Sequence, residues 1–315
     1  MKRRDFINQT ALASSALIFP VSSIAQNMFS KENLVNQELE IHIFSKHLQF
    51  LNYKNMSDAA KEMGFNGVDL TVRPKGHVFP EHVIEDLPKA TEAMKSYELI
   101  PRMFSSNVID AKNDIQKTVL KTAKNLGYDF YRTAWIKYKP DDGILEKVKQ
   151  ANNKFIDLSK FNKDIDIRGC YHNHSGRYVG ASIWDLEKAL ENVTTSHFGC
   201  QYDIMHATVE GGENWEIGFN LIKPYINSIV IKDFKWGKVN GKWKRIFTPL
   251  GEGMVNFKKY FHLLKQNKIN VPISLHVEYD LGGAEHGGKP SIKTKEVLNR
   301  IKHDLDFIRD MWKTI

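Results

Sequence analysis

Two rhythms alternate along this chain. Short apolar or β-branched runs occur over residues 40–44, 67–72, 99–105, 130–135, 165–171, 198–203, 226–231 and 271–277, and their length predicts strands. Between them, apolar residues return every three or four positions over 56–63, 83–97, 113–126, 143–158, 183–190, 215–222, 255–266 and 292–312, which predicts helices. Gly64 and Gly127 stand where two of those helices should stop, and glycine is a favoured C-cap because it accepts a left-handed backbone. Eight strands alternating with helices predict a single-domain α/β fold, a (β/α)8 barrel. A doubly wound open sheet is the alternative. No Gly-rich phosphate loop follows the first strand, which argues against it.

One insertion interrupts the alternation. Residues 234–253 follow the seventh strand, and their centre, Trp236 to Ile246, reads as a β-hairpin turning at Asn240-Gly241. The insertion is expected over the C-terminal mouth, as a lid or as a surface ornament.

Polar clusters close the later strands: Tyr171-His172-Asn173-His174, Asp203-Ile204-Met205-His206, Lys232-Asp233 and His276-Val277-Glu278. The first three are spaced near the ~30 residues of a βαβ unit. In a closed parallel barrel such strand ends meet at the C-terminal face, where the active site is built. Strand alternation places His172 with His174, Gln201 with Asp203, Val230 with Lys232, and His276 with Glu278 on shared faces. If these faces point inward, His172, His174, Asp203, Lys232, His276 and Glu278 converge. That mixed nitrogen and oxygen set suits a divalent metal such as Zn²⁺, Mn²⁺ or Mg²⁺. It also offers bases beside a bound sugar. Taken singly, each residue has a plainer reading: Lys232-Asp233 as a local ion pair, Glu278 bridged to an arginine such as Arg132. Arg73, His77 and Trp135 at other strand ends are candidate substrate contacts, Trp135 by stacking on a sugar face.

The first 25 residues change the picture in another way. Lys2, Arg3 and Arg4 precede an uncharged stretch over 11–24 and small residues near Ala25, the layout of a signal peptide. Arg3-Arg4 followed by Phe6 resembles a twin-arginine export signal. Residues 1–25 are therefore expected to be removed, 26–38 to be a linker and 39–315 the barrel, leaving no membrane anchor on an exported, periplasmic protein. The formal charge of +8 falls to +6 with the leader. The lysines are scattered rather than striped, so nucleic acid is not the expected partner. Cys170 and Cys200 both lie within apolar runs and read as buried thiols rather than a disulfide.

At the strand-end clusters, together with Pro249-Leu-Gly-Glu-Gly253, the chain resembles the xylose isomerase-like TIM-barrel family over residues 40–312. This superfamily includes tagatose epimerases, inosose dehydratases and endonuclease IV. Val68-Asp69-Leu-Thr-Val-Arg73 with Gly76-His77 looks like a subgroup found beside secreted sugar-processing proteins. The resemblance implies a metal held by a strand-five Glu, a strand-six Asp, a strand-seven His and a strand-eight Glu. Asp203 and Glu278 match two of these. His172 stands for the strand-five Glu, and Val230 for the strand-seven His. The resemblance thus implies His172, Asp203 and Glu278 as ligands, with His276 or His174 compensating. The resemblance also implies substrate contacts at His206 and within the motif of Glu252. The activity it implies is proton abstraction next to a sugar carbonyl by Glu278, with His172 or His174 on the other side and Lys232 stabilising the enediolate. An isomerase or epimerase acting on a non-phosphorylated carbohydrate is expected. The alternatives are a keto-glycoside lyase or dehydratase, or a non-catalytic sugar-binding barrel.

Overall fold

The computed structural model describes residues 38–315; the expected signal peptide and nearly all of the expected linker lie outside the described residues. Eight parallel strands close into a barrel: β1 Ile41–Phe44, β2 Gly67–Val72, β3 Met103–Ser106, β4 Phe130–Arg132, β5 Arg168–His172, β6 Phe198–Asp203, β7 Ile226–Ile231 and β10 Ile273–Leu275. Closure comes from β1 pairing in parallel with both β2 and β10. Two further strands, β8 Asp233–Val239 and β9 Lys242–Thr248, form a separate antiparallel hairpin. The helices are α1 Tyr53–Met63, α2 Val83–Ser96, α3 Asp114–Leu126, α4 Ile144–Ile165, α5 Ile183–Ala189, α6 Ile204–Gly211, α7 Trp215–Ile222, α8 Phe257–Gln266 and α9 Thr294–Thr314.

Local chemistry sets the element boundaries. Asn52, Asn113 and Asn256 accept backbone N–H groups at the starts of α1, α3 and α8, each worth about 1 kcal/mol. Gly64 and Gly127 end α1 and α3 with φ of 96° and 102°, a region that costs a side chain but not glycine. In the hairpin, Asn240 and Gly241 both take positive φ, as a two-residue type I′ turn requires.

The structure departs from the sequence pattern at several ends. Strands β3, β4 and β10 are shorter than their apolar runs; flanking residues such as Ile100, Thr133 and His276 make only isolated backbone links to the neighbouring strands. Helix α4 runs on to Ile165, seven residues past the expected stop, and delays β5 to Arg168. Helix α6 was not anticipated. Its two turns begin where Asp203 ends β6 and accepts the N–H of His206 at 3.0 Å.

The outward strand faces pack under the helices, with Ile43, Leu70, Phe104, Tyr171, Tyr202, Ile229 and Leu275 fully or almost fully buried in one large core. The interior is mostly polar. Asp69 Oδ2 accepts from Ser105 Oγ at 3.1 Å and from Ser274 Oγ at 2.6 Å, joining β2, β3 and β10 across the barrel. The two free cysteines lie on opposite sides of the sheet: Cys170 clusters inside with Met103 and Phe130, and Cys200 belongs to the outer core. Among the described residues, no helix is long and apolar enough to cross a membrane.

Candidate active site

The ends of β5, β6 and β7 bring three side chains to one carboxylate. Asp203 Oδ2 lies 3.0 Å from His172 Nε2 and 3.1 Å from Lys232 Nζ. Lys232 Nζ also donates to His206 Nε2 at 2.9 Å, and His206 Nδ1 meets Ser175 Oγ at 2.8 Å. All four of Asp203, His172, His206 and Lys232 are at most 2% exposed. The bonds fix the tautomers. An ionised carboxylate only accepts, so His172 carries its proton on Nε2 and leaves Nδ1 as a bare lone pair, without a hydrogen-bond partner among the described residues. Lys232 only donates, so His206 accepts on Nε2 and donates from Nδ1. Asn173 braces the arrangement by exchanging two hydrogen bonds with the Asp203 backbone, at 2.7 and 3.0 Å.

Glu278, just beyond β10, faces the same cluster. Its carboxylate is 3.4 Å from Lys46 Nζ and 3.7 Å from Lys232 Nζ. No ion pair with Arg132 forms. His276 lies between Glu278 and His172: its Nδ1 is 3.9 Å from Glu278, its ring centroid 6.1 Å from that of His172, and it stacks on Phe44 at 4.1 Å. Neither ring nitrogen of His276 has a hydrogen-bond partner among the described residues.

Charge and burial set the protonation states. Burial opposes ionisation of Asp203 and Glu278, but Lys232 and the adjacent histidines, with Lys46 at Glu278, override it and hold both carboxyls well below the usual range. Burial pushes the histidines the other way: His172 to about 4, His174 to about 3 and His276 to about 3, with neighbouring positive charge adding to the effect. The cluster at neutral pH is therefore two carboxylates, two ammonium groups, from Lys46 and Lys232, and neutral imidazoles.

Other expected residues lie around this centre. His174 donates from Nδ1 to the Ser175 carbonyl at 2.9 Å and packs at the mouth between Trp135 and His206, with centroids 5.0 and 4.0 Å away. Arg73 stands over Phe44 at 5.6 Å. His77 is not in the cluster: its Nδ1 meets Ser45 Oγ at 3.0 Å and its ring faces Tyr53, where it supports the loop after β2. Glu252 is also outside, exposed on a surface groove with Tyr279, Asp280 and Arg300, because its loop turns away from the mouth. Asp233 faces away from Lys232. Its two oxygens gather the N–H groups of Phe234, Gly251, Gly253 and Val255, at 2.8, 3.0, 3.0 and 3.1 Å. The apparent local pair is thus one residue for the site and one for the loop.

Three residues at the site, Lys46, Ser175 and Arg245, escaped the sequence reading, and Arg132 entered it only as an ion-pair partner for Glu278. Lys46 follows β1, and only barrel closure brings it to Glu278. Ser175 links His206 to Arg245 on β9, so the hairpin is tied to the mouth by a side-chain hydrogen bond. Arg132 points inward from β4 and lies over Trp135 at 4.3 Å. The paired histidines of Tyr171-His172-Asn173-His174 gave a signal; the lone Lys46, Ser175 and Arg245 gave none.

His172, Asp203 and His206 each turn one ligand atom within 4.8 Å of the others, a group of the kind that could hold a metal ion. Glu278 and His276 do not join it. Lys232 already fills the space, with its ammonium about 3 Å from two of the three ligands. Val230 pairs with Asp203 in register and supplies no fourth ligand. With Lys232 lodged there, the residues present do not fit a divalent ion.

A closed parallel barrel with ionisable groups gathered at the C-terminal strand ends defines an α/β-barrel of enzyme type. The family description "Xylose isomerase-like TIM barrel" matches residues 57–311, and the chain belongs to that family. No curated protein sequence matches it. Among solved structures it is similar to 3-keto-D-glucoside 4-epimerase from E. coli, at 12% identity over 87% of this chain and 100% of that one, with a TM-score of 0.62. D-psicose 3-epimerase from Clostridium cellulolyticum H10, solved with D-tagatose, is similar at 11% identity over 87% and 99%, TM-score 0.65. The probable 3-DHS dehydratase of Bacillus anthracis is similar at 15% identity over 86% and 98%, TM-score 0.62. These likenesses establish the shared fold of sugar epimerases and a dehydratase.

Proposed function

We propose that this protein is an exported enzyme that abstracts a proton next to the carbonyl of a carbohydrate, with Glu278 as base and Lys232 as the fixed positive charge. One observation carries this reading: an ionised carboxylate sits beside an ammonium at the mouth of the barrel, 3.7 Å apart and too far for a hydrogen bond. Glu278 Oε1 accepts from Lys46 at 3.4 Å, which leaves Oε2 to take a proton while Lys232 turns to a substrate oxygen. As negative charge develops on that oxygen, Lys232 stabilises it, and its hold on Glu278 weakens, which raises the basicity of the carboxylate. His172 Nδ1 is an unencumbered acceptor across the His276 ring.

The neutral imidazoles favour single-base chemistry. Epimerisation with two bases needs a proton donor on the far face, and a histidine lowered to about 4 rarely carries the second proton at pH 7. Returning the proton from Glu278 to the adjacent carbon gives isomerisation. Expulsion of a β-substituent from the same enediolate, with Glu278 passing the proton it took to the departing oxygen, gives elimination, the second reading, which also needs only one acid-base residue.

The experiment is solvent deuterium incorporation into a panel of keto-sugars, read by NMR. Exchange at a carbon next to the carbonyl is expected, and Glu278→Gln should slow it by about 10²–10⁴-fold. Full exchange in the Gln variant defeats the assignment, and sugar binding with no exchange favours a non-catalytic barrel. Lys232 fills the role that a divalent cation was expected to play. The purified protein should therefore contain well under one equivalent of Mn, Zn or Mg and show no saturable Mn²⁺ binding by calorimetry; stoichiometric metal would reject this part of the reading.

A further inference from the structure

The mouth of the barrel holds more positive charge than its carboxylates answer. Arg132 is 3% exposed, yet its Nε has no hydrogen-bond partner among the described residues. Its guanidinium lies over Trp135 at 4.3 Å. Arg73, from the end of β2, and Lys46, after β1, approach the Phe44 ring at 5.6 and 5.7 Å. Among the described residues, no carboxylate lies within ion-pair distance of either guanidinium. Glu278 takes Lys46 and Lys232; Asp69 takes two serine hydroxyls on Oδ2, and its buried Oδ1, without a hydrogen-bond partner among the described residues, attracts both arginines only from beyond ion-pair distance. Burial, and then the charge of Arg73, bring Arg132 down to about 9 against the pull of Asp69 and Glu278, so the two arginines feel each other as like charges.

Two guanidiniums left unpaired in a partly dry pocket are unfavourable unless an anion meets them. Their planar forks match a planar carboxylate through paired N–H···O bonds. We propose that Arg73 and Arg132 form a carboxylate-binding subsite, and that the substrate is a sugar acid, such as a uronate or aldonate derivative, rather than a neutral sugar. The assignment rests on the carbohydrate reading above and specifies it: the carboxylate lies toward β2 and β4, and the reacting carbons lie toward Lys232 and Glu278.

The test is calorimetric binding of D-glucuronate, D-galacturonate and D-gluconate to the full chain, against D-glucose, D-galactose and D-glucose 6-phosphate, in low and high salt. At least one sugar acid should bind tenfold or more tighter than its neutral counterpart, with a preference that shrinks as salt rises. Arg73→Gln should remove most of that preference while leaving the melting temperature equal or higher, because it relieves the repulsion with Arg132. Arg132→Gln supplies the second variant, its folding checked by circular dichroism. Equal or tighter binding of neutral sugars, no binding of any sugar acid, an unchanged preference in folded Arg73→Gln, or tighter binding of the phosphate each overturns the proposal. Sugar-acid binding without deuterium exchange would leave this subsite standing and remove the proton-transfer reading. Exchange into neutral keto-sugars with no preference for acids would do the reverse.

Discussion

Asp203 does two jobs with its two oxygens. Oδ1 caps α6 through the His206 N–H, and Oδ2 takes both His172 and Lys232. The motif Asp-x-x-His is thus a helix cap whose fourth residue is delivered to the site by the first turn of helix. The histidines around it give a pH signature. Their folded pKa values lie below the unfolded value near 6.5, so the neutral form is the one the fold favours. That contribution is fully present above pH ~6.5 and is lost as pH falls toward about 4 for His172 and about 3 for His174 and His276. Asp203 and Glu278, also lowered, add to the loss at the acid end of the same window. The unfolding free energy from urea titrations should decline steadily from pH 6.5 to 4. A flat profile over that range would show that these imidazoles are not held neutral.

At the scale of elements, the loop from β9 to α8 is organised by one carboxylate. Asp233 accepts four backbone N–H groups, a capacity that only a carboxylate offers. Asn keeps one acceptor oxygen and turns an amide N–H toward the remaining donors. Asp233→Asn should cost about 3 kcal/mol in equilibrium unfolding. Gly253→Ala should be comparably harmful, since a Cβ there would collide with the Asp233 carboxylate and the Phe234 carbonyl. Wild-type stability in both variants would refute the clamp. This explains why Lys232-Asp233 and the glycines of 249–253 belong together: the lysine serves the pocket, and the aspartate fixes the loop that follows the hairpin. The hairpin itself was legible from Asn240-Gly241. Its contact with the mouth through Arg245 was not, because a strand pattern says which residues pair and not where the ribbon leans.

For the molecule as a whole, compartment decides which substrates the barrel meets. Residues 1–25 carry Arg3 and Arg4 ahead of an uncharged stretch, and export is part of the proposed function. Replacing both arginines by lysine in Arg3→Lys/Arg4→Lys should leave the precursor unprocessed inside the cell, whereas the parent chain should be recovered outside the cytoplasm shortened by its leader. Equal processing of both chains would point to a different route. Among the described residues the core begins at Leu39.

The sequence by itself determined the barrel and the ring of strand ends. Eight runs of strand length and eight amphipathic repeats leave few ways to bury both, and inward alternation selects His172, Asp203, Lys232, His276 and Glu278 without reference to contacts. Tertiary structure decided what those residues do. Closure sets β1 beside β10, so Lys46 reaches Glu278 across 232 positions of chain. Curvature of the barrel, not spacing, brings Lys232 into the space between Asp203 and His206 that a metal would have used. It also gathers Arg73 and Arg132 from different strands around a mouth with too few carboxylates. Periodicity is a local property and is written in the chain. The balance of charge inside a closed surface depends on distances between remote residues, and those exist only once the barrel has formed.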